Sequence, residues 1–436
     1  MTPYAAAEFV MLTLGKAGYQ AFLAGGCVRD LHIGRTPNDY DVTTNARPEQ
    51  VTALFEKTIP VGAKFGVVVV MVEGNQIEVA TFRADGAYSD GRRPDEVRYS
   101  ESAKEDVQRR DFTINGLLQP TSALAFSEEF KKDVKWFQDG GDEVPVIDYV
   151  GGLDDLKDGT IRCIGDATKR FEEDALRMMR ACRFVSRFGF EVERDTFKAI
   201  LDNADGIKNV SRERIADELK EICIGKFAAK GLTLLATTGL LRRILPEGVS
   251  DTRFVYTLER FTKFQTSDPL MGLAMLLADV QTSEAANKVV ESLKLSNEEA
   301  AVIMGAVRNC GSGKEIGTVG YAGSDEFYFP AGVKMLAREK GILPYAVDVF
   351  EQNLKLGYTL LTSEAGKKAI ERFRALTPEE VRPTLMVTGK DLIAMGFTPS
   401  PMFTKVLNLT ELRQLNGEFS TREDALEFAK QTAEAE

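Results

Sequence analysis

FLAGGCVRDLHIGRTPNDYDVTT, residues 22–44, is the stretch that decides the fold. An apolar run over residues 21–24 meets Gly25-Gly26, Val28-Arg29-Asp30 opens a short helix, and an Asp39-x-Asp41 pair follows within fifteen residues of the glycines. The order is strand, anion cradle, basic residue, paired carboxylates. Two glycines after a strand let the backbone approach a ligand and turn N–H groups toward an anion; the helix N-terminus adds its positive dipole end and Arg29 a fixed charge. Asp39 and Asp41 stand two apart among strand-forming residues, so their side chains share a face. Two carboxylates so placed repel unless a cation lies between them. Mg2+ fits, because it takes oxygen ligands, keeps waters and shares itself between carboxylates and substrate phosphates. A phosphate cradle beside such a pair predicts phosphoryl or nucleotidyl transfer.

Outward from that stretch, Pro48 to Lys57 predicts a helix begun by proline, and residues 66–72 and 76–82 predict two strands joined at Glu73-Gly74-Asn75. Glu78 interrupts the second apolar strand; a buried glutamate there is costly unless paired or metal-bound, which makes it a candidate third carboxylate. Residues 84–99 carry Gly, Pro, Asp and paired arginines without periodicity and predict a loop or flap. In Arg109-Arg110-Asp111-Phe112-Thr113-Ile114-Asn115-Gly116 the arginines supply charge to a triphosphate, and Asp111 can accept from ribose hydroxyls. Residues 119–146, polar and holding the single tryptophan, Trp136, read as a surface excursion.

A further polar row follows a predicted helix. Glu173-Asp174-x-x-Arg177 puts an aspartate and an arginine at i and i+3, side by side on one face, with Arg180 and Arg183 continuing the row. Such a pair imitates a Watson–Crick edge. Asp174 accepts from N4 of C or N6 of A while Arg177 donates to the neighbouring ring nitrogen; G and U present the opposite polarity and leave buried groups unpaired, at about 1–3 kcal/mol each. A plain i,i+3 salt bridge is the other account of the same residues.

Composition narrows the classes. The 436 residues suffice for two to four domains, and the net charge of −11 argues against unspecific nucleic-acid binding, so an RNA substrate needs local basic surface. Arg177, Arg180, Arg183 and Arg187 supply one cluster, and Lys226, Lys230, Arg242 and Arg243 another. Five scattered cysteines without a C-x-x-C pair argue against a zinc ribbon or a disulfide framework and point to a reducing cytoplasmic setting. A single histidine, His32, excludes a phosphohydrolase centre built on several His and Asp ligands. No stretch reaches the roughly 18 apolar residues of a spanning helix. The C-terminal half is helical in pattern, with capping-box starts at Ser296-x-x-Glu299, Thr377-Pro378-x-Glu380 and Ser420-x-x-Glu423.

Gly25-Gly26, Arg29-Asp30, Gly34 and Asp39-x-Asp41 resemble the signature of the class II tRNA nucleotidyltransferases (CCA-adding enzymes) and the related bacterial poly(A) polymerases, within the polymerase-beta-like superfamily. Arg109–Gly116, the EDxxR motif at 173–177 with its RxxRF extension, and Val210–Ile215 match later motifs, so the resemblance is close over residues 20–220 and loose beyond. It implies an α+β fold: a small mixed-sheet nucleotidyltransferase head over 1–155, a helical neck with the base-reading motif over 156–225, a helical body over 226–330 and a helical, tRNA-binding tail over 331–436. It implies template-independent addition of CCA to tRNA from CTP and ATP, with Asp39 and Asp41 on Mg2+ and Glu78 as third acid. Gly25, Gly26 and Arg29 would cradle the triphosphate, Arg110 and Asp111 address phosphate and ribose, and Asp174, Arg177, Arg180 and Arg183 line the base. The flap at 84–99 would accompany addition of the final A. Poly(A) polymerase, a partial enzyme adding only A or CC, and a catalytically silent RNA-binding scaffold share these head motifs.

Overall fold

The computed structural model describes residues 1–62, 66–84, 98–125, 127–139, 142–245, 251–263, 265–277, 283–310, 384–415 and 417–434. The flap expected over residues 84–99 and the capping box expected at Thr377 fall outside the described residues, apart from the flap's two ends. Two compact units emerge, Met1–Pro246 and Glu247–Glu436.

The first unit is built on one sheet. Along the chain come α1 (Pro3–Lys16), β1 (Ala21–Ala24), α2 (Gly26–His32), β2 (Val42–Thr44), α3 (Pro48–Leu54), β3 (Thr58–Gly62), β4 (Val67–Val72) and β5 (Asn75–Thr81). Then follow α4 (Ala103–Gln108), a 3-10 turn at Thr113–Asn115, β6 (Leu117–Pro120), α5 (Ser122–Ala125), β7 (Val134–Asp139) and β8 (Asp142–Asp148). The strand order is β3-β4-β5-β2-β1-β6-β8-β7, antiparallel throughout except for the parallel β2–β5 pair. β1 is apolar along its whole length and buried on both faces, which suits a central strand. β5 alternates instead: Ile77, Val79 and Thr81 are buried, Gln76 and Glu78 exposed. The core beneath the site stacks Phe22 on Phe82, with ring centroids 6.1 Å apart, and sets Phe130 edge-on to Phe22 at 5.3 Å.

Residues 119–146 are not a surface excursion. They supply the end of β6, all of β7 and most of β8, and Phe130, Val146 and Ile147 are each at most 4 % exposed. Most of the polar residues that hid the hairpin, Ser127 to Asp133, precede its edge strand β7 in a run of turns that carries Phe130 into the core. Trp136, 45 % exposed, sits on β7.

Beyond the sheet come α6 (Gly152–Asp158), β9 (Thr160–Ile161), α7 (Ala167–Glu173), α8 (Leu176–Phe188), β10 (Glu191–Val192), α9 (Arg194–Asn203), α10 (Arg212–Ile224), α11 (Ala228–Thr237) and α12 (Leu240–Ile244). α8 turns Met178, Met179, Cys182, Val185 and Ser186 inward and packs on α10 and α11. The approach to α11 needs Gly231, where a Cβ would stand 2.6 Å from the Ser186 Cβ and 2.8 Å from the Cys182 carbonyl. Phe112, in the stretch between α4 and β6, bridges to Cys163 and meets Phe184 of α8 edge-on at 5.6 Å, so α8 packs on the segment that leads into β6.

In the second unit the described residues form helices at Asp251–Lys263, Pro269–Leu277, Ser283–Ser292, Asn297–Cys310, Gly389–Ala394, Pro401–Leu415 and Arg422–Glu434. The cap at Ser296 forms as expected, Ser296 and Glu299 exchanging bonds. The last helix starts one residue later than expected: Thr421 and Asp424, rather than Ser420 and Glu423, make the reciprocal bonds. Among the described residues no helix is long and apolar enough to cross a membrane.

Candidate active site

Asp39 and Asp41 lie in the extended segment that runs into β2, where the Ala24 amide donates to the Asp41 carbonyl at 3.0 Å. Tyr40 between them is buried edge-on to Tyr4, so the two carboxylates share the other face. The parallel register pairs Val42 with Val79 and thereby sets Asp41 beside Glu78. One premise about Glu78 is corrected. It is exposed, as is Asp39, because β5 turns its odd residues inward; only Asp41 is partly buried. Burial first, then the charges of Asp39 and Glu78, push the Asp41 carboxyl up to about 6, with Arg110 opposing them. Among the described residues no three His, Cys, Asp or Glu side chains close into a cage of their own. An all-oxygen set that repels itself fits a hard divalent cation rather than a thiolate or imidazole metal.

The turn at Gly25 is built for close approach. Its φ of +72° is left-handed, and a Cβ there would lie 2.9 Å from Arg110 Nη1. Arg110 Nη2 is held by Asp106 at 2.9 Å, while its buried Nε makes no hydrogen bond within the protein. Asp106, 1 % exposed, gathers more than Arg110: Arg109 Nε donates to it at 2.9 Å, the Arg83 amide at 3.1 Å and the Thr43 hydroxyl at 3.4 Å. Burial alone would raise its carboxyl, but the Arg110 and Arg109 charges and their hydrogen bonds prevail and hold it at about 2. Sequence reasoning missed Asp106. The signal was there, an aspartate three and four residues before Arg109 and Arg110.

Arg29 sits deeper than a surface cradle residue. It is 4 % exposed; Nε and Nη2 donate to Asp30 at 2.9 and 2.7 Å, and Nη1 donates to Asn115. Asn115 in turn donates to Asp111 at 2.9 Å. Asp111 also takes the Phe112 amide at 2.8 Å and Arg180 Nε at 2.7 Å; these bonds and the Arg180 charge overcome burial and hold it at about 2.

The helix expected to carry Asp174 and Arg177 together breaks between them. α7 ends at Glu173, Asp174 is extended (φ −149°, ψ 100°), and α8 starts at Leu176. Asp174 Oδ1 accepts the Leu176 amide at 3.1 Å and Oδ2 accepts Arg214 at 2.8 Å. Arg177 pairs not with Asp174 but with Glu173, at 2.6 Å, and reaches the carbonyls of Arg170 at 3.0 Å and Arg109 at 3.2 Å. Arg183 lies 3.2 Å from Glu218. The structure thus brings Gly25, Arg29, Arg110, Asp111, Arg177 and Arg180 into one bonded network, places Asp39, Asp41 and Glu78 at its edge, and gives Asp174 and Arg183 partners on α10. Glu173, Arg214, Glu218 and Asn115 were not predicted as supports.

The family model described as Poly A polymerase head domain matches residues 21–162, and one described as probable RNA and SrmB-binding site of polymerase A matches residues 189–251. The CCA-adding enzyme of Geobacillus kaustophilus is 34 % identical over 412 residues, 92 % of this chain and 90 % of that one; that of Lactiplantibacillus plantarum is 31 % identical over 436 residues, 99 % and 97 %. The chain belongs to the CCA-adding enzyme family. With the Geobacillus thermodenitrificans CCA-adding enzyme identity rises to 44 % over 238 residues, a match spanning 55 % of this chain and 54 % of that one. The solved structure of the Bacillus stearothermophilus CCA-adding enzyme in complex with CTP agrees in fold, with a TM-score of 0.73 at 29 % identity over 100 % of this chain and 98 % of that one. The α+β class follows, and CCA addition to tRNA is the activity that membership in the family assigns.

Proposed function

We propose that this chain adds C, C and A in turn to the 3′ end of tRNA from CTP and ATP, releasing pyrophosphate, at the site just described. The observation that carries the residue assignment is that α8 is bonded to the segment at Arg109–Asp111, Arg177 through the Arg109 carbonyl and Arg180 through Asp111. A base met by α8 and a triphosphate met by the Gly25 turn then belong to one nucleotide.

Asp39 and Asp41 hold Mg2+, which when bound supplies Lewis acidity that lowers the pKa of the primer 3′-hydroxyl and steadies the departing pyrophosphate. Glu78, exposed beside Asp41, orients that hydroxyl. The Gly25-Gly26 backbone and Arg110, with its uncommitted Nε–H, receive the triphosphate; Arg29 stiffens the turn from below and adds charge. Asp111 keeps the ribose in register. Asp174 accepts from the exocyclic amine with lone pairs that Leu176 and Arg214 leave over, and Arg177 donates to the ring nitrogen beside it. Arg180 and Arg183 extend the cationic wall. The division into head (1–155), neck (156–225), body (226–330) and tRNA-gripping tail (331–436) is part of this proposal, as is a cytoplasmic site of action, which suits the buried, unbridged thiols of Cys27, Cys163, Cys182 and Cys223.

The test is direct. The purified chain, Mg2+, CTP and ATP are incubated with tRNA transcripts ending before the first C, after C, after CC and after CCA, and the 3′ ends are sequenced. Every shorter substrate should finish at CCA and the last remain unchanged. Long A tails would make the chain a poly(A) polymerase, extension from one starting end a partial enzyme, and retained tRNA binding without transfer a scaffold.

A further inference from the structure

The two halves of the site are joined a third time, beyond the nucleotide-reading residues. Asp30 on α2 is 4 % exposed and divides its carboxylate: Oδ1 takes Arg29, and Oδ2 takes Arg187 Nη2 at 2.7 Å. Arg187 lies near the C-terminal end of α8, ten residues after Arg177. At about 100° per residue, positions 177, 180 and 187 fall within about 80° of one another around the helix, so one face of α8 carries all three bridges. The third is reinforced from its flanks. Arg35 Nη2 reaches the Arg187 carbonyl at 3.5 Å, and the guanidinium carbons of Arg29, Arg35 and Arg187 lie 4.8, 5.2 and 5.3 Å from the centroid of the Phe188 ring. Three cations around one ring, with Asp30 as the carboxylate bonded between two of them, form a costly arrangement that a helix needing only to pack would not require.

We propose that Arg187 is a positioning residue: through Asp30 it locks the phosphate-cradle helix to the base-reading helix at the separation that one nucleoside triphosphate spans. This rests on the assignment of those two helices to phosphate and base. A ligand that must touch both halves gains from their fixed spacing, whereas a ligand that touches one half does not. Inorganic triphosphate probes the cradle alone, cytidine the reading helix alone, and CTP both.

Arg187→Met keeps a stem over Phe188 and removes the bridge. In the full chain with Mg2+, equilibrium binding should show CTP and ATP weakened about tenfold, with triphosphate and cytidine within about twofold of wild type. Arg187→Lys, which offers Asp30 a point charge instead of a planar fork, should lie between the two and serves if the Met variant does not fold. Equal weakening of CTP, triphosphate and cytidine would overturn the proposal in favour of a merely structural arginine, and unchanged CTP affinity would overturn it outright. Arg110→Ala separates the underlying assignment: if it leaves triphosphate binding unchanged, the cradle itself is misplaced, whatever Arg187 does.

Discussion

The carboxylate edge and the arginine network differ as an open site differs from a closed one. At the edge, Asp39 and Glu78 are exposed, and the Asp41 carboxyl is raised to about 6 by its own burial first and then by their charges. In the network Asp106 and Asp111 are almost wholly buried, yet both are held at about 2, each by arginines and donors fixed around it. The first region stores repulsion that a cation relieves; the second has its own cations already in place. On the proposed assignment, turnover would depend on the region of unrelieved repulsion and substrate geometry on the region whose charges are already paired.

The largest effect should separate these roles. Asp41→Asn should lower kcat about 10³-fold, with tRNA binding kept. It should not lower the melting temperature in metal-free buffer. A carboxyl whose folded pKa stands above its unfolded value contributes stability that declines as pH rises from about 4 to about 6, and the amide removes that loss. A fall in melting temperature at pH 7 would erase the contrast between the two regions.

Next comes selectivity. Asp174→Ala should reduce kcat/KM for CTP and ATP about 10- to 100-fold relative to GTP and UTP, the size of one lost base contact. Unchanged ratios would remove Asp174 from base reading and leave it as the acceptor of the Leu176 amide and the partner of Arg214.

Asp106→Asn acts on the closed region. It should cost about 2 kcal/mol of unfolding free energy at pH 7, since a folded pKa near 2 lies about two units below the ordinary aspartate value. The stabilisation is complete above about pH 4 and is lost as pH falls toward 2, so the difference between wild type and variant in denaturant titrations should shrink over that window. A pH-independent difference would assign the effect to packing. At the small end, Lys198→Ala breaks an exposed i,i+4 pair with Asp202 and should leave the melting temperature and turnover unmoved.

Much of the site was legible because its chemistry demands residue types at short spacings. Gly25-Gly26, Asp39-x-Asp41 and Arg109-Arg110-Asp111 are local, and a loop that must meet phosphate or metal has few other ways to be written. The β4–β5 hairpin was equally plain from two apolar runs joined at Glu73-Gly74-Asn75. The break at Asp174 was not, because residues 173–188 keep their apolar period straight through it; the break depends on Arg214, forty residues on, which draws the Asp174 carboxylate out of helical register while its other oxygen caps Leu176. The β7–β8 hairpin was hidden by the polar run at Ser127 to Asp133 that precedes it, and the exposure of Glu78 by the assumption that a glutamate among apolar residues shares their face.

By itself, the sequence determined the family, the α+β class and the candidate residues for binding a nucleotide, because those are carried by residue types at short spacings. Only the tertiary structure decided which partner each charge takes. Arg29 to Asp30, Arg177 to Glu173, Arg180 to Asp111 and Arg187 to Asp30 are choices among a surplus of arginines and carboxylates. Any of those ions could pair with several others in an extended chain; what selects the partner is the burial of Asp30 and Asp111, where a carboxylate left unpaired is costly.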